Sequence, residues 1–148
     1  MISIREAVLS DIDWILPELK AFAEFYASEH NLFSDDDGFN RLILKQLIDG
    51  HYFMVSCNDD IPTGFIAGLI SQHIFNPKIK TLTELFFWVK PEARGNKSGS
   101  VLLNDFVKFG DKYDWTIMTL EHNSPIKSES ILKRGFKYKE QSFIKENK

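Results

Sequence analysis

Apolar and polar residues alternate from Ile2 to Ala7 (ISIREA), a period of two that predicts a strand with one buried face. The period then changes. Ser10, with Asp11 after it and Asp13 three residues on, has the pattern of a helix start. Ile12, Ile15, Leu16, Leu19, Phe22, Ala23 and Phe25 follow at steps of three and four, one apolar stripe on a helix. Pro17 lies inside that stripe and is expected to kink the helix or split it. The pattern breaks from Asn31 to Gly38. A second helix is predicted from about Phe39 to Ile48, with Asp35, Asp36 and Asp37 near its positive end and Gly50 as its stop. His51 to Cys57 reads as a strand, Asn58 to Pro62 as a turn, and Thr63 to Ile74 as the antiparallel partner. After a turn at Asn76-Pro77-Lys78, Thr81 to Val89 (TLTELFFWV) is strongly β-prone and apolar on both faces near its end, as a central strand should be. Beyond it come a loop (Lys90–Asn96), a helix from about Ser98 to Phe109 closed by Gly110, and a short strand, Trp115–Leu120. A helix over Pro125–Lys133, stopped by Gly135, and two short strands near Phe136–Lys139 and Ser142–Lys145 complete the chain. The order β-α-α-β-β-β-α-β-α-β-β predicts an α/β (α+β) fold: a mixed sheet with helices on its faces.

Composition narrows the class. At 148 residues the chain is sized for one domain, 1–148, with enough buried surface to need no disulfide or metal staple. Hydrophobic residues at 43%, among them 13 Phe, against 26% charged residues describe a packed core and exclude disorder. A net charge of -3 lacks the basic excess that nucleic-acid backbones demand, so no nucleic-acid partner is expected. The lone Cys57 forms no internal disulfide, which fits a reducing, cytoplasmic setting. Charge at Arg5 and Glu6 argues against a secretory leader, and the longest apolar run, Leu85–Val89, is too short to span a membrane.

The chemistry concentrates between Glu84 and Ser100: a buried strand, a loop with Arg94 and Gly95, then a helix start carrying Ser98, Gly99 and Ser100. Unpaired N–H groups at a helix start, helped by the helix dipole, bind anions. Gly95 and Gly99 admit close approach of a ligand, and Arg94 and Lys97 add positive charge. A diphosphate suits such a cradle. The same strand–loop–helix with two glycines also occurs in α/β proteins that bind no phosphate. It is not a P-loop, since Gly95 and Gly99 are four apart with no Lys after the second, and no Gly-x-Gly-x-x-Gly marks a dinucleotide fold.

The run Val89-Lys90-Pro91-Glu92 to Arg94-Gly95-Asn96-Lys97-Ser98-Gly99 resembles motif A of the GNAT superfamily of N-acetyltransferases, a Gln/Arg-x-x-Gly-x-Gly/Ala loop after a strand ending in Val-x-Pro. Arg94 fills the first position and Gly99 the last, while Lys97 replaces the middle Gly; if that position needs positive φ, Lys97 is strained there. Ile4-Arg5-Glu6-Ala7 with Asp11 is similar to the family's opening strand and helix, and Lys133-Arg134-Gly135-Phe136 to its closing Gly-Phe turn. The resemblance spans nearly the whole chain. It implies a mostly antiparallel central sheet, acetyl-CoA as co-substrate and a primary amine, small molecule or protein, as acceptor. It places the coenzyme diphosphate on the backbone of Arg94, Gly95, Asn96, Lys97, Ser98, Gly99 and Ser100. The pantetheine arm falls along the main chain of Phe87, Trp88 and Val89, with an N–H near Val89 facing the thioester oxygen. Asn123 stands where the family often has an amide touching pantetheine, or else it belongs to a helix-capping turn with Ser124 and Pro125. Dimers are common in the family, which leaves a homodimer open.

Amine acetylation needs the acceptor deprotonated, and a lysine-like amine with pKa near 10.4 arrives charged. Glu84, on the central strand in apolar surroundings, is the candidate base; family members often use a Glu from this strand. Its other reading is a rim carboxylate paired with Lys78 or Lys80. The family's frequent acid, a Tyr four residues before the Gly-Phe pair, is Ile131 here, which leaves Tyr138 or His122 as substitutes or a thiolate that departs unassisted. Asp35–Asp37 either attracts a cationic amine or simply opens a helix. Phe22, Phe25, Tyr26 and Phe33 either wall an acceptor pocket or fill the core. His30, His51, His73 and His122 have no metal-ligand spacing, so no metal is expected. Cys57, in an early strand, gives no support to an acyl-enzyme. Two readings follow: an N-acetyltransferase acting by direct attack in a ternary complex, or a catalytically silent module of the same fold that binds acyl-CoA or a protein.

Overall fold

The computed structural model describes residues 1–27 and 32–147. His30 and Asn31, where the first loop is expected to begin, lie outside the described residues. Five strands form one sheet in chain order: β1 (Ile2–Glu6), β2 (Tyr52–Asn58), β3 (Ile61–His73), β4 (Asn76–Val89) and β5 (Trp115–Ile117). The first four pair antiparallel and β5 joins β4 in parallel, so the sheet is mixed and mostly antiparallel. Helices α1 (Ile12–Ala27) and α2 (Asp37–Gly50) cover one face. Helix α3 (Ser98–Gly110) covers the other, and the short α4 (Ser128–Leu132) follows β5.

Strand alternation sorts the core. Phe53, Val55, Phe65 and Ala67 point to Ile15, Leu16, Leu44 and Leu47 of the first two helices, while Tyr52, Ile66 and Leu82 meet Leu102 and Phe106 of α3. A bulge interrupts this order at one point. Ala67 pairs with Phe86 but Gly68 with Glu84, so Leu85 is an extra residue in β4. Leu82 and Phe87 are five apart and would otherwise face opposite ways; the insertion puts both on the α3 side and turns Phe86 and Trp88 toward α1. The hydrophobicity of Thr81–Val89 on both faces is therefore real, but its two halves are out of phase.

Five expectations need correction. Pro17 neither splits nor ends α1: it sits in the second turn, where only one intrahelical bond is lost. The helix start is organised by Asp11 rather than Ser10, in a 3₁₀ turn over Leu9–Asp11. The buried Asp11 carboxylate accepts from the Arg5 guanidinium, Val8 N–H and Trp14 Nε1 at 2.7–2.9 Å. Those bonds outweigh desolvation and hold its pKa down, at about 2. The last helix is only Ser128–Leu132, and β5 stops at Ile117 rather than Leu120. The strands expected near Phe136–Lys139 and Ser142–Lys145 do not form: Tyr138, Phe143 and Ile144 stay exposed, so neither segment gains a buried face to offset its ordering.

Candidate active site

β4 and β5 run together only through Thr81–Trp115, Leu82–Thr116 and Thr83–Ile117. Beyond Thr83 they part, and Glu84 to Val89 keep β3 on one side without a strand on the other. Backbone alternation shows what faces the gap. Lys90 N–H donates to Thr63 of β3 at 2.8 Å, so the N–H and C=O of the preceding Val89 point away from β3. The Val89 carbonyl accepts from Arg94 Nε at 3.1 Å on that open side.

The loop after β4 enters α3 through a left-handed turn. Gly95 has φ +92° and Lys97 has φ +75°, so the position at which Lys replaces a Gly does require positive φ. A lysine there is strained by roughly 1–2 kcal/mol relative to glycine. Lys97→Gly is expected to raise stability by about 1 kcal/mol in chemical denaturation, part of the relief being offset by the freer unfolded chain. Of the N–H groups that open α3, Ser98's is taken by Asn96 Oδ1 at 3.0 Å, while those of Gly99 and Ser100 have no intrahelical acceptor. The Ser98 hydroxyl is buried, bonded to Thr63 and through it to Ser56, so it anchors the helix to the sheet and does not face a ligand. A Cβ built on Gly99 meets only Val89 Cγ2 and Phe87 Cζ, at 3.7 and 3.8 Å, so packing within the chain does not demand glycine at 99.

A cleft of about 350 Å³ opens at this helix start, lined by Phe87, Gly99, Ser100, Leu103, Pro125, Ile126, Lys127, Ser130 and Arg134. It unites three residues marked from sequence (Phe87, Gly99 and Ser100) with the α4 segment, where the sequence marks Ile131 as the family's acid position and Arg134 only as part of the closing turn. Lys127 and Arg134 place positive charge on its wall, and Arg134 is held by Ser130 and by Asn104 Oδ1. Both cations flank the short helix before Gly135, the signal that would have found them. Arg94, Gly95 and Asn96 instead line a separate cavity of about 460 Å³ with Asn58, Ile61 and Thr63. The Arg94 guanidinium stacks over the Trp88 ring, 4.6 Å from its centroid. Trp88 is buried against α1, its indole N–H donating to Glu18 at 3.1 Å, so only its main chain is available to a ligand.

Glu84 sits at the fork, one residue past the last β4–β5 pair. Burial among protein atoms pushes its carboxyl pKa up to about 7; Glu121 adds to the rise and the polar Thr119 backbone opposes it. Among the described residues neither Lys78 nor Lys80 forms an ion pair with it. Asn123 Nδ2 donates to the Phe25 carbonyl in the last turn of α1 at 3.2 Å, and Ser124 Oγ, not Asn123, makes the turn that precedes α4 by accepting from Ile126 N–H. Ile131 is buried. Tyr138 stands exposed with its hydroxyl 3.3 Å from Ser128, and His122 is exposed. Asp36 caps α2 through Phe39 N–H, and Asp37 pairs with Arg41, so that acidic run opens a helix. Phe22 packs edge-on against Trp88 and Phe86, while Phe25 is partly exposed beside it. Among the described residues no cluster of His, Cys, Asp or Glu could hold a metal ion, and no helix is long and apolar enough to cross a membrane.

The overall fold is shared with solved acetyltransferases. A GCN5-related N-acetyltransferase from Ralstonia eutropha JMP134 superposes with a TM-score of 0.74 at 16% identity, over 98% of this chain and 98% of that one. The chain has the GNAT fold. A predicted acetyltransferase from Clostridium acetobutylicum, solved with acetyl-CoA, superposes on this GNAT fold with a TM-score of 0.75 at 14% identity, covering 99% and 96% of the two chains. An aminoglycoside acetyltransferase from an uncultured soil metagenomic sample, in complex with sisomicin, gives 0.71 at 12% identity, over 99% and 95%. No family model matches the sequence, and no curated protein matches it. The GNAT likeness is therefore carried by three-dimensional structure.

Proposed function

We propose that the chain is an acetyl-CoA-dependent N-acetyltransferase that moves an acetyl group to a primary amine by direct attack. The observation that carries this reading is the placement of Glu84, with its raised pKa, at the fork where β4 loses its strand partner, three residues before Phe87 of the cleft. The N–H groups of Gly99 and Ser100, with Lys127 and Arg134 on the opposite wall, would take the coenzyme diphosphate. The bare main chain of Phe87 to Val89 would pair with the pantetheine arm, and the outward N–H of Val89 would face the thioester oxygen as negative charge builds on it. Ser98 contributes its place in the fold rather than a contact.

A base near neutrality suits the step. Glu84 as carboxylate takes a proton from the acceptor ammonium; the freed amine attacks the thioester carbon, the C–S bond breaks, coenzyme A leaves as thiolate, and the second proton shed by the acetylated nitrogen passes to that thiolate. Buried Ile131 supplies no proton, and a thiol of pKa roughly 8.5 departs without a dedicated acid. Thiol release from acetyl-CoA across a panel of amines tests the reading. Turnover with at least one amine is expected. Acetyl-CoA binding with no turnover on any of them would leave the silent acyl-CoA-binding module instead.

A further inference from the structure

The segment after β5 does not wander from the sheet. It leaves β4 at Ile117, turns tightly where Ser124 N–H meets the Glu121 carbonyl at 2.9 Å, and is pinned by Asn123 to the Phe25 carbonyl. Phe25 belongs to α1, so the Asn123 amide ties the segment to that helix from across the fold. Between these two fixed points the segment passes Glu84, with the Thr119 backbone and the Glu121 carboxylate both acting on it. From β3, Gly68 stands opposite Glu84 and brings no charge; among the described residues Glu121 is the charged group that acts on it.

We propose that Asn123 is a positioning residue: by clasping the 118–124 strap to the end of α1, it holds Thr119 and Glu121 against Glu84 and keeps water from the carboxyl. The kinetic consequence rests on the reading of Glu84 as base, but the positioning itself does not. Released from Phe25, the strap swings out, solvent reaches Glu84, and Glu121 recedes. Both changes favour the charged carboxylate.

The test is carboxyl titration by ¹³C NMR in the full chain, with Glu84→Gln identifying the Glu84 signal. Asn123→Ala is expected to lower the Glu84 midpoint by roughly 1 pH unit, and Asn123→Gln, which keeps the amide donor, to restore part of it. Asn123 is exposed, so the substitutions do not open the core. The acidic limb of kcat/KM should move down with the midpoint, while KM for acetyl-CoA stays within about twofold. A raised KM with an unmoved midpoint would make Asn123 a coenzyme contact and overturn the proposal. A lower Tm and a lower rate at every pH, again with the midpoint unmoved, would reduce the clasp to simple bracing and overturn it too. A midpoint that moves while the activity limb does not would leave the clasp standing and remove Glu84 as the base.

Discussion

Glu84→Gln is expected to slow acetyl transfer by roughly 10²–10⁴-fold at pH 7 and, at pH 8, to make the protein harder to unfold. The two effects come from one proton. In the folded chain the carboxyl is held neutral up to about pH 7, whereas in the unfolded chain it ionises in the ordinary carboxylate range. A raised folded-state pKa contributes stability that is full below the unfolded value and lost as pH rises through about 7. At pH 8 wild type carries a desolvated carboxylate at a cost on the order of 3 kcal/mol, which the neutral amide avoids. That corresponds to several degrees in Tm for a chain of this size. At pH 4 and below the two proteins should converge, since Glu84 is neutral in the folded wild type and mostly neutral in the unfolded chain. Catalysis runs the other way: kcat/KM of wild type should climb through about pH 7 as the base ionises, and the variant's profile should lose that limb. Thermal melts at pH 4 and 8, set beside pH–rate profiles, check both. Equal Tm shifts at the two pH values would show that Glu84 ionises freely and cannot serve as a tuned base.

The sequence revealed the parts of this arrangement that obey a period or a local rule. The two-residue alternation of Ile2–Ala7, the helical stripe from Ile12, and the apolar run to Val89 each became the element they predict. The glycine-bearing helix start was legible too, because backbone freedom and unpaired N–H groups are local properties. What was hidden depends on pairing over distance. The bulge at Leu85 is invisible in a run apolar on both faces, since either phase reads equally well. The early end of β5 at Ile117 follows from where β4 and β5 diverge, and Met118 to Leu120 are as strand-like in composition as what precedes them. The engagement of Ser98 with Thr63, of Asn123 with Phe25, and of Arg94 with Trp88 joins residues far apart in the chain or turns a side chain from its expected partner. In each case a polar residue that composition would offer to a ligand is already committed within the protein. The cations left facing the cleft, Lys127 and Arg134, belong to a helix of five residues that periodicity barely registers.

Gly99→Asp should weaken coenzyme A binding on the order of 10- to 100-fold, 1.4–2.8 kcal/mol, while leaving the fold at least as stable. The asymmetry follows from the position. A Cβ at residue 99 finds ordinary contact distances to Val89 and Phe87, so the side chain enters without displacing the protein. Asp is also a better helix former than glycine, and its charge in the first turn of α3 complements the helix dipole, each by several tenths of a kcal/mol. The wall it enters is the one that would receive the diphosphate. There the carboxylate competes for the same Gly99 and Ser100 N–H groups and repels the ligand's charge across the cleft from Lys127 and Arg134. Gly99→Ala separates the causes: a methyl adds bulk without charge, so its smaller loss measures sterics alone. Calorimetric titration with coenzyme A at two salt concentrations completes the argument, because the excess loss in the Asp variant should shrink at high salt while the Ala loss should not. If both variants bind as wild type does while their melting temperatures hold or rise, the diphosphate does not rest on this turn, and the cleft would have to be assigned to another ligand.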